Sequence, residues 1–569
     1  MIKNKKLILF IILSILIGTI YIYPDIRFFA ELGNKFKGIT LTPMHDEPFY
    51  LARLNAVYHG DYRLANIGLY EHRNDPWLTP PYFEVLIGLI GKTLGIPVVY
   101  FDIILTFIFP IIIFWLIFLL VSKISDSIYL GILAATSIIM GYFLFSFDSA
   151  LIKSIFLPPY FTRGLWFMRP FSPQFIYIPF IFSLLAMYLF IDSKTIWKTL
   201  IISFAIAMLN YLHIYIWLFM CAGLCVWFLT AVFKKDKLLV KNILFIFFCS
   251  TVLAIPFWIN YLRVALNPNY YFLEKIFGTE YTHRLMLPFG YIILSIFAVY
   301  LNRDLNAKKL SFLISFLIGG LLCLNQQILT GKIIEPLHWT FYTNKTMLLI
   351  ALIVGLRGIV PKRLFTIDTR IIFYFTILFL FFTGFMLQSH YYNANKKAFA
   401  QMQNLSGAIR WLNTHTKKDD VILTESIGYP QSELIRIWML YTRNYYYLAR
   451  ESHSLVSEEE SQYRLLSAMR FFRYTKGEAD KIIDFWDGLN LFGMSARYSV
   501  LKDTEESLGR IKQKYDHLMS EDPLLLIKRY KVDYVLIEEG NKLFKNLGDI
   551  YPFLNKVFDD GFCKIYKFQ

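Results

Sequence analysis

The chain is short of the features on which most soluble enzymes are built. Charged residues make up only 18% of it, with 42 Asp and Glu set against 58 Lys and Arg. Cysteine is scarce. Cys221, Cys225, Cys249 and Cys323 lie inside apolar segments and Cys563 stands alone near the C-terminus, so no disulfide framework or zinc pattern follows. Cys221 and Cys225 share a helix face at i, i+4, but no His or further Cys accompanies them. The C-terminal third lacks Gly-x-Gly-x-x-Gly and Walker patterns, which removes the usual sequence ground for a nucleotide site there. The net charge of +16 would suit nucleic acid if it formed a stripe. The cations instead fall in short clusters between apolar runs, the distribution of a membrane topology signal.

What is present is apolar surface. Hydrophobic residues are 56% of the chain and aromatics 18%, with mean hydropathy +0.46, which places it in the polytopic membrane class. Lys3, Lys5 and Lys6 followed by Leu7 to Ile22 have the charge and apolar core of a signal sequence. The run is long for a cleaved segment and no small-x-small site follows, so it reads as an uncleaved first span with a cytoplasmic N-terminus.

Apolar runs near the roughly 20 residues a bilayer requires occur at 6–23, 98–121, 128–147, 175–191, 196–213, 215–233, 241–258, 286–301, 310–328, 345–358 and 371–388. They predict about eleven transmembrane helices. Alternate connections collect the cations: Lys123; Lys194 and Lys198; Lys234, Lys235, Lys237 and Lys241; Arg303, Lys308 and Lys309; Arg357, Lys362, Arg363 and Arg370. The positive-inside rule puts these in the cytoplasm and, with an odd number of spans, the C-terminal region outside. Residues 82–95 are apolar for only about 14 residues, roughly 21 Å of helix against a core near 30 Å. They are predicted to lie beside or re-enter the membrane, so that 24–97 is one long outer loop.

After residue 388 the apolar runs shorten. AIRWLNTH reads as helix, DVILTES as strand, a Tyr-rich stretch around 433–450 as helix, and LLLIKRYKVDYVLIEE as a helix leading into a strand at Val532–Ile537. The fold class is therefore a polytopic α-helical membrane domain, 1–388, followed by an extracytoplasmic α/β domain, 389–569. The run Ser457 to Ser461, with three glutamates, reads as solvated surface.

Polar constellations gather in the predicted outer loops. The first begins with Met44-His45-Asp46-Glu47-Pro48-Phe49-Tyr50. Two carboxylates before a proline and an apolar run are also how many helices start, because acidic side chains complement the helix dipole. The second loop carries Arg163 and Arg169 around Trp166, and the last carries Lys332 and His338 in TGKIIEPLHW after Gln326 and Gln327. Glu71, His72 and Asp75 form a further polar set suited to acceptor recognition or metal. His213 reads as a turn residue between spans.

In layout the chain resembles the GT-C superfamily of multi-spanning glycosyltransferases that use polyprenyl-phosphate-linked sugars, the class that includes protein O-mannosyltransferases and lipid A aminoarabinose transferases. The resemblance rests on Asp46-Glu47 with Tyr50 close behind, Tyr58-His59-Gly60-Asp61-Tyr62, Pro80-Pro81 opening the short helix that ends at Leu94-Gly95, and the closing KRYKVDYVLIEE and DDGFCKIYKF. It implies transfer of a sugar, with inversion, from a polyprenyl-phosphate donor to a lipid, glycan or protein acceptor at the outer face. Asp46 would be the base and Glu47 its partner, the pair also being the place for a divalent cation if one is used. Arg163, Arg169, Lys332 and His338 would hold the donor phosphate, since guanidinium forks onto phosphate oxygens, with His45, Tyr50, Glu71, His72 and Gln327 as further substrate contacts. No nucleic-acid partner is implied; the bilayer is. Two other classes fit the same composition: a transporter or flippase of a lipid-linked sugar, and a non-catalytic membrane scaffold. A transporter should carry ionisable residues deep in its spans.

Overall fold

A computed structural model of the protein describes residues 2–42, 47–146, 164–276, 280–334, 336–359, 367–425, 431–448, 454–484 and 501–569. The chain forms two compact units, one of Met1–Gly33, Phe101–Phe257 and Tyr281–Lys397, the other of Asn34–Tyr100, Trp258–Glu280 and Ala398–Gln569.

Helices dominate the first unit because its apolar runs leave the backbone only its own groups to bond with. Over the whole chain, eight helices among the described residues are long and apolar enough to cross a membrane, among them Val98–Ser125, Ile214–Phe233, Ala307–Leu324 and Pro336–Gly358. Three further apolar helices are shorter: Ile128–Met140, Ile196–Leu212 and Phe289–Leu301. Ile128–Met140, expected to reach 147, has 13 residues, about 20 Å of helix. The run expected from 286 starts at Phe289 because Pro288 occupies the N-cap and resists extension on its N-terminal side.

Small residues set the tightest helix contact. A Cβ on Gly319 would lie 2.7 Å from the backbone nitrogen of Gly223, so the helices Ile214–Phe233 and Ala307–Leu324 meet backbone to backbone, as small residues allow in membranes. Phe219 and Phe316, ring centroids 5.7 Å apart, fill the flank of that contact.

The second unit joins the segment 34–100 to the C-terminal segment. Its sheet contains β1 (Val421–Thr424), β2 (Tyr445–Tyr446), β3 (Tyr534–Glu538), β4 (Leu554–Asp559) and β5 (Cys563–Phe568), in the order β2-β1-β3-β5-β4. β1 runs parallel to both β2 and β3, with Ile422 opposite Tyr446 and Tyr534. β5 is antiparallel to β3 and to β4. All four residues of β1 are buried, as expected of a strand covered on both faces. The Tyr-rich stretch departs from the helix expected over 433–450: the helix Gln431–Tyr441 stops and Tyr445–Tyr446 become the edge strand. Aromatic side chains fit a pleated surface, and pairing with distant β1 decides the matter.

Hydrogen bonds distant in sequence stitch segment 34–100 to the C-terminal segment. The Gln403 side chain accepts from the Lys37 backbone and donates to the Ile39 carbonyl, at 2.9 and 2.7 Å, and Asn55 Nδ2 donates to the Thr442 carbonyl at 2.8 Å. The helix expected over 82–95 is present as Tyr82–Thr93.

Candidate functional site

In the first unit a kinked turn, Pro170–Phe175, with Ser172 out of helical conformation, and a short π-helical turn, Trp339–Asn344, precede the longer helices that begin at Ile176 and Lys345. A π turn widens the helix and leaves carbonyls out of their usual register, a distortion frequent at functional sites. Here the displaced carbonyls are taken up by phenols. Tyr142 Oη donates to the Phe341 carbonyl and Tyr177 Oη to that of Tyr342. Ser172 Oγ lies 3.1 Å from Tyr342 Oη, which links the two turns.

Around them the rings form a continuous wall. Trp166 stacks on Tyr142 at 5.7 Å and meets Tyr342 edge-on at 5.6 Å. His213 lies 4.7 Å from Tyr342 and 5.4 Å from His338, and Tyr215 stacks on His338 at 4.5 Å. Lys345 extends over the face of Tyr142, Nζ 4.0 Å from the ring centroid. Tyr142 is buried, so this ammonium, within the apolar helix Pro336–Gly358, is directed inward. Ionisable groups in such helices are costly and mark function.

Four polar groups here have no hydrogen-bond partner among the described residues: Trp166 Nε1, Gln174 Oε1, His213 Nδ1 and the side-chain amide of Asn210, one turn before His213. Buried polar atoms are nearly always satisfied, so these are groups available to a ligand.

The expected phosphate-binding residues fall in different places. His338 belongs to the ring wall. Arg169 is half-buried and immediately precedes the Pro170–Phe175 turn, its carbonyl accepting from Gln174 N at 3.2 Å. Lys332 lies with Nζ 5.4 Å from the Tyr281 ring centroid. Gln327 is buried and donates to the Arg284 carbonyl at 2.9 Å, so its amide fastens one connecting segment to another. Arg163 lies outside the described residues, as do His45 and Asp46. Lys345 was missed because a cation at the start of an apolar run reads as an interfacial anchor. His213 is at a turn as expected, yet its ring faces the wall.

In the second unit the helix Glu47–Tyr58 begins at Glu47, whose carboxylate is fully buried, and Tyr50 is half-buried on the same helix. Arg53, also buried, donates through Nε to Glu84 at 2.6 Å and through its other nitrogens to the carbonyls of Leu64, Thr79 and Pro80. One guanidinium thus anchors the helix Tyr82–Thr93 and the loop before it. Among the described residues no group of three or more His, Cys, Asp or Glu side chains is arranged to hold a metal ion.

Glu71 and His72 enter an ion network. Arg464 binds Glu71 and Glu460, each at 2.7 Å, and lies 3.8 Å over the Tyr530 ring. His72 is held by Asp75 at 2.7 Å and Glu460 at 3.1 Å. Glu460, expected on a solvated surface, is therefore a structural group. Burial alone would push the His72 imidazole down, but the hydrogen bonds to Asp75 and Glu460 outweigh it and raise it to about 9. A histidine raised on folding stabilises fully below its unfolded value and loses that stabilisation as pH rises through the folded value. Thermal unfolding at a series of pH values should therefore show stability falling between about 6.5 and 9, by at most about 3 kcal/mol. His72→Gln should remove this slope.

Comparison with known proteins finds no matching family model and no matching curated protein.

Proposed function

We propose that the protein is an integral membrane glycosyltransferase that moves a sugar from a polyprenyl-phosphate donor to a lipid, glycan or protein acceptor. The observation that carries the proposal is the Lys345 ammonium, turned into the ring wall of an apolar helical unit beside groups with no hydrogen-bond partner. A cation there suits a lipid-borne phosphate, whose charge must be met within an apolar setting; an ionisable group inside a span also fits the transporter reading, which reconstitution separates by whether polyprenyl phosphate is released. Aromatic faces and His338 suit the sugar next to it.

In this reading all eleven apolar helices cross the bilayer, the shorter ones where it is locally thin or the span tilted little, and the C-terminal α/β fold lies outside. Chemistry needs a base for the acceptor hydroxyl and positive charge for the departing phosphate. The acceptor oxygen attacks the anomeric carbon as its bond to the phosphate oxygen breaks. The electron pair leaves on polyprenyl phosphate, whose charge Lys345 and Arg169 are proposed to meet, and the hydroxyl proton passes to a carboxylate base. Single displacement inverts the anomeric centre. Asp46 is the carboxylate proposed as that base, with Glu47 as its partner. If a divalent cation is used, it binds the same pair.

Asp46→Asn should abolish the product from the membrane glycan profile at normal protein level. An unchanged profile would overturn the assignment and favour a scaffold.

A further inference from the structure

The Tyr58-His59-Gly60-Asp61-Tyr62 motif has no role in the transfer chemistry above, and in the second unit its His59 and Asp61 line a small cleft of about 30 Å³ that opens to solvent. The helix Glu47–Tyr58 ends there because Gly60, at φ +83°, adopts the left-handed conformation that glycine accepts freely. This turns His59 and Asp61 to face Lys418, Arg443, Asn444 and Tyr445, over a floor of small and apolar side chains.

Positive charge prevails in the cleft. Asp61 is the single carboxylate among its lining residues, and it meets Lys418 at 3.7 Å, an exposed pairing of little strength. Desolvation, then the positive charges of Arg443, Lys418 and Lys92, hold the His59 imidazole below its ordinary value. Arg443 donates through one terminal nitrogen to the Thr416 carbonyl, but its Nε has no partner among the described residues. Asn444, 4% exposed, donates to Thr416 Oγ1 and the Lys417 carbonyl at 2.8 and 2.9 Å. Its Oδ1 has no partner among the described residues. A buried acceptor beside an unsatisfied guanidinium nitrogen is a paired deficit: one group calls for an anion, the other for a neighbouring donor.

We propose that this cleft binds a saccharide carrying an anionic group, phosphate or carboxylate, with Arg443 and Lys418 on the anion and Asn444 Oδ1 accepting a hydrogen bond from an adjacent hydroxyl. The anion requirement stands on these residues alone, whereas the saccharide rests on the proposed transferase function. The cleft would then select an acidic glycan as acceptor.

The test is calorimetric titration of the detergent-solubilised full-length protein with glucose 6-phosphate, glucuronate, inorganic phosphate and glucose. At least one of the two acidic sugars should bind more tightly than both glucose and inorganic phosphate, and which one does so distinguishes phosphate from carboxylate. Lys418→Gln and Arg443→Gln should each weaken that binding roughly tenfold, and Asp61→Asn should tighten it by removing the opposing charge. Lys418 is half-exposed, so its replacement leaves the fold intact even if Arg443→Gln disturbs the Thr416 contact. Acidic sugars that bind no better than glucose or free phosphate, or binding indifferent to both Lys418→Gln and Asp61→Asn, would overturn the proposal. Because the readout is equilibrium binding, it is separable from failure of the transfer reaction itself.

Discussion

Lys345→Met should lower sugar transfer by roughly a hundredfold or more, the scale on which removal of one preorganised group facing developing negative charge is felt. The expectation follows from where the ammonium lies. Its Nζ sits 4.0 Å from the centroid of buried Tyr142, away from bulk water, where a charge interacts far more strongly than in solution. A departing phosphate gains charge as the glycosidic bond breaks, so the loss should fall mainly on kcat. Lys345→Arg keeps the charge and should retain part of the rate, whereas Met is close in volume and leaves the packing filled. Equal activity in the Met variant would remove Lys345 from the site.

Arg53→Ala should be the most damaging single change to stability in the second unit, at about 3–5 kcal/mol. The guanidinium is 2% exposed and satisfies Glu84, itself 3% exposed, together with three backbone carbonyls. Removing it strands a carboxylate in a buried setting and frees the loop that Arg53 ties down. Glu84→Ala should cost less, because Arg53 keeps its carbonyl acceptors. The double change to Met at both positions should recover much of the loss, since well-packed apolar side chains often replace a buried pair at little cost. Thermal unfolding of the purified variants would show it, with Arg53→Ala lower by roughly 10 °C or more. If Arg53→Ala unfolds with wild-type stability, the pair is not the clamp described.

Much of the helical architecture was legible because hydropathy runs report burial in lipid directly. The helix at 82–93 and strands β1 and β3 were legible for a similar reason, as their periodicity is local. What the sequence did not display depends on partners far away in it. The edge strand Tyr445–Tyr446 exists through pairing with Val421 and Ile422, and its residues alone read as helix. The grouping of 34–100 with the C-terminal segment rests on contacts such as Gln403 with Ile39 and Arg464 with Glu71. A cut at residue 388, where apolar runs end, does not register these.

Charged residues were the hardest to place. Glu460, in a run of glutamates, looks solvated in sequence and is tied into ion pairs with His72 and Arg464; Arg53 drew no reading in sequence and is paired with Glu84. Lys345 looks like an anchor until the π turn before it and the Tyr142 face beside it are seen. His338 stands out in sequence as a histidine among span ends, and the structure places its ring against Tyr215. His213 was visible but uninformative until its ring was placed against Tyr342.

The most direct measurement of the central claim is reconstitution in lipid nanodiscs and proteoliposomes with polyprenyl-phosphate sugars extracted from the source membranes. Free polyprenyl phosphate and glycosylated acceptor would be followed together. The account predicts that both appear in step with the wild-type protein, and that Asp46→Asn and Lys345→Met suppress both while the proteins remain folded. Movement of the intact lipid-linked sugar between leaflets, with no polyprenyl phosphate released, would contradict it and identify a flippase.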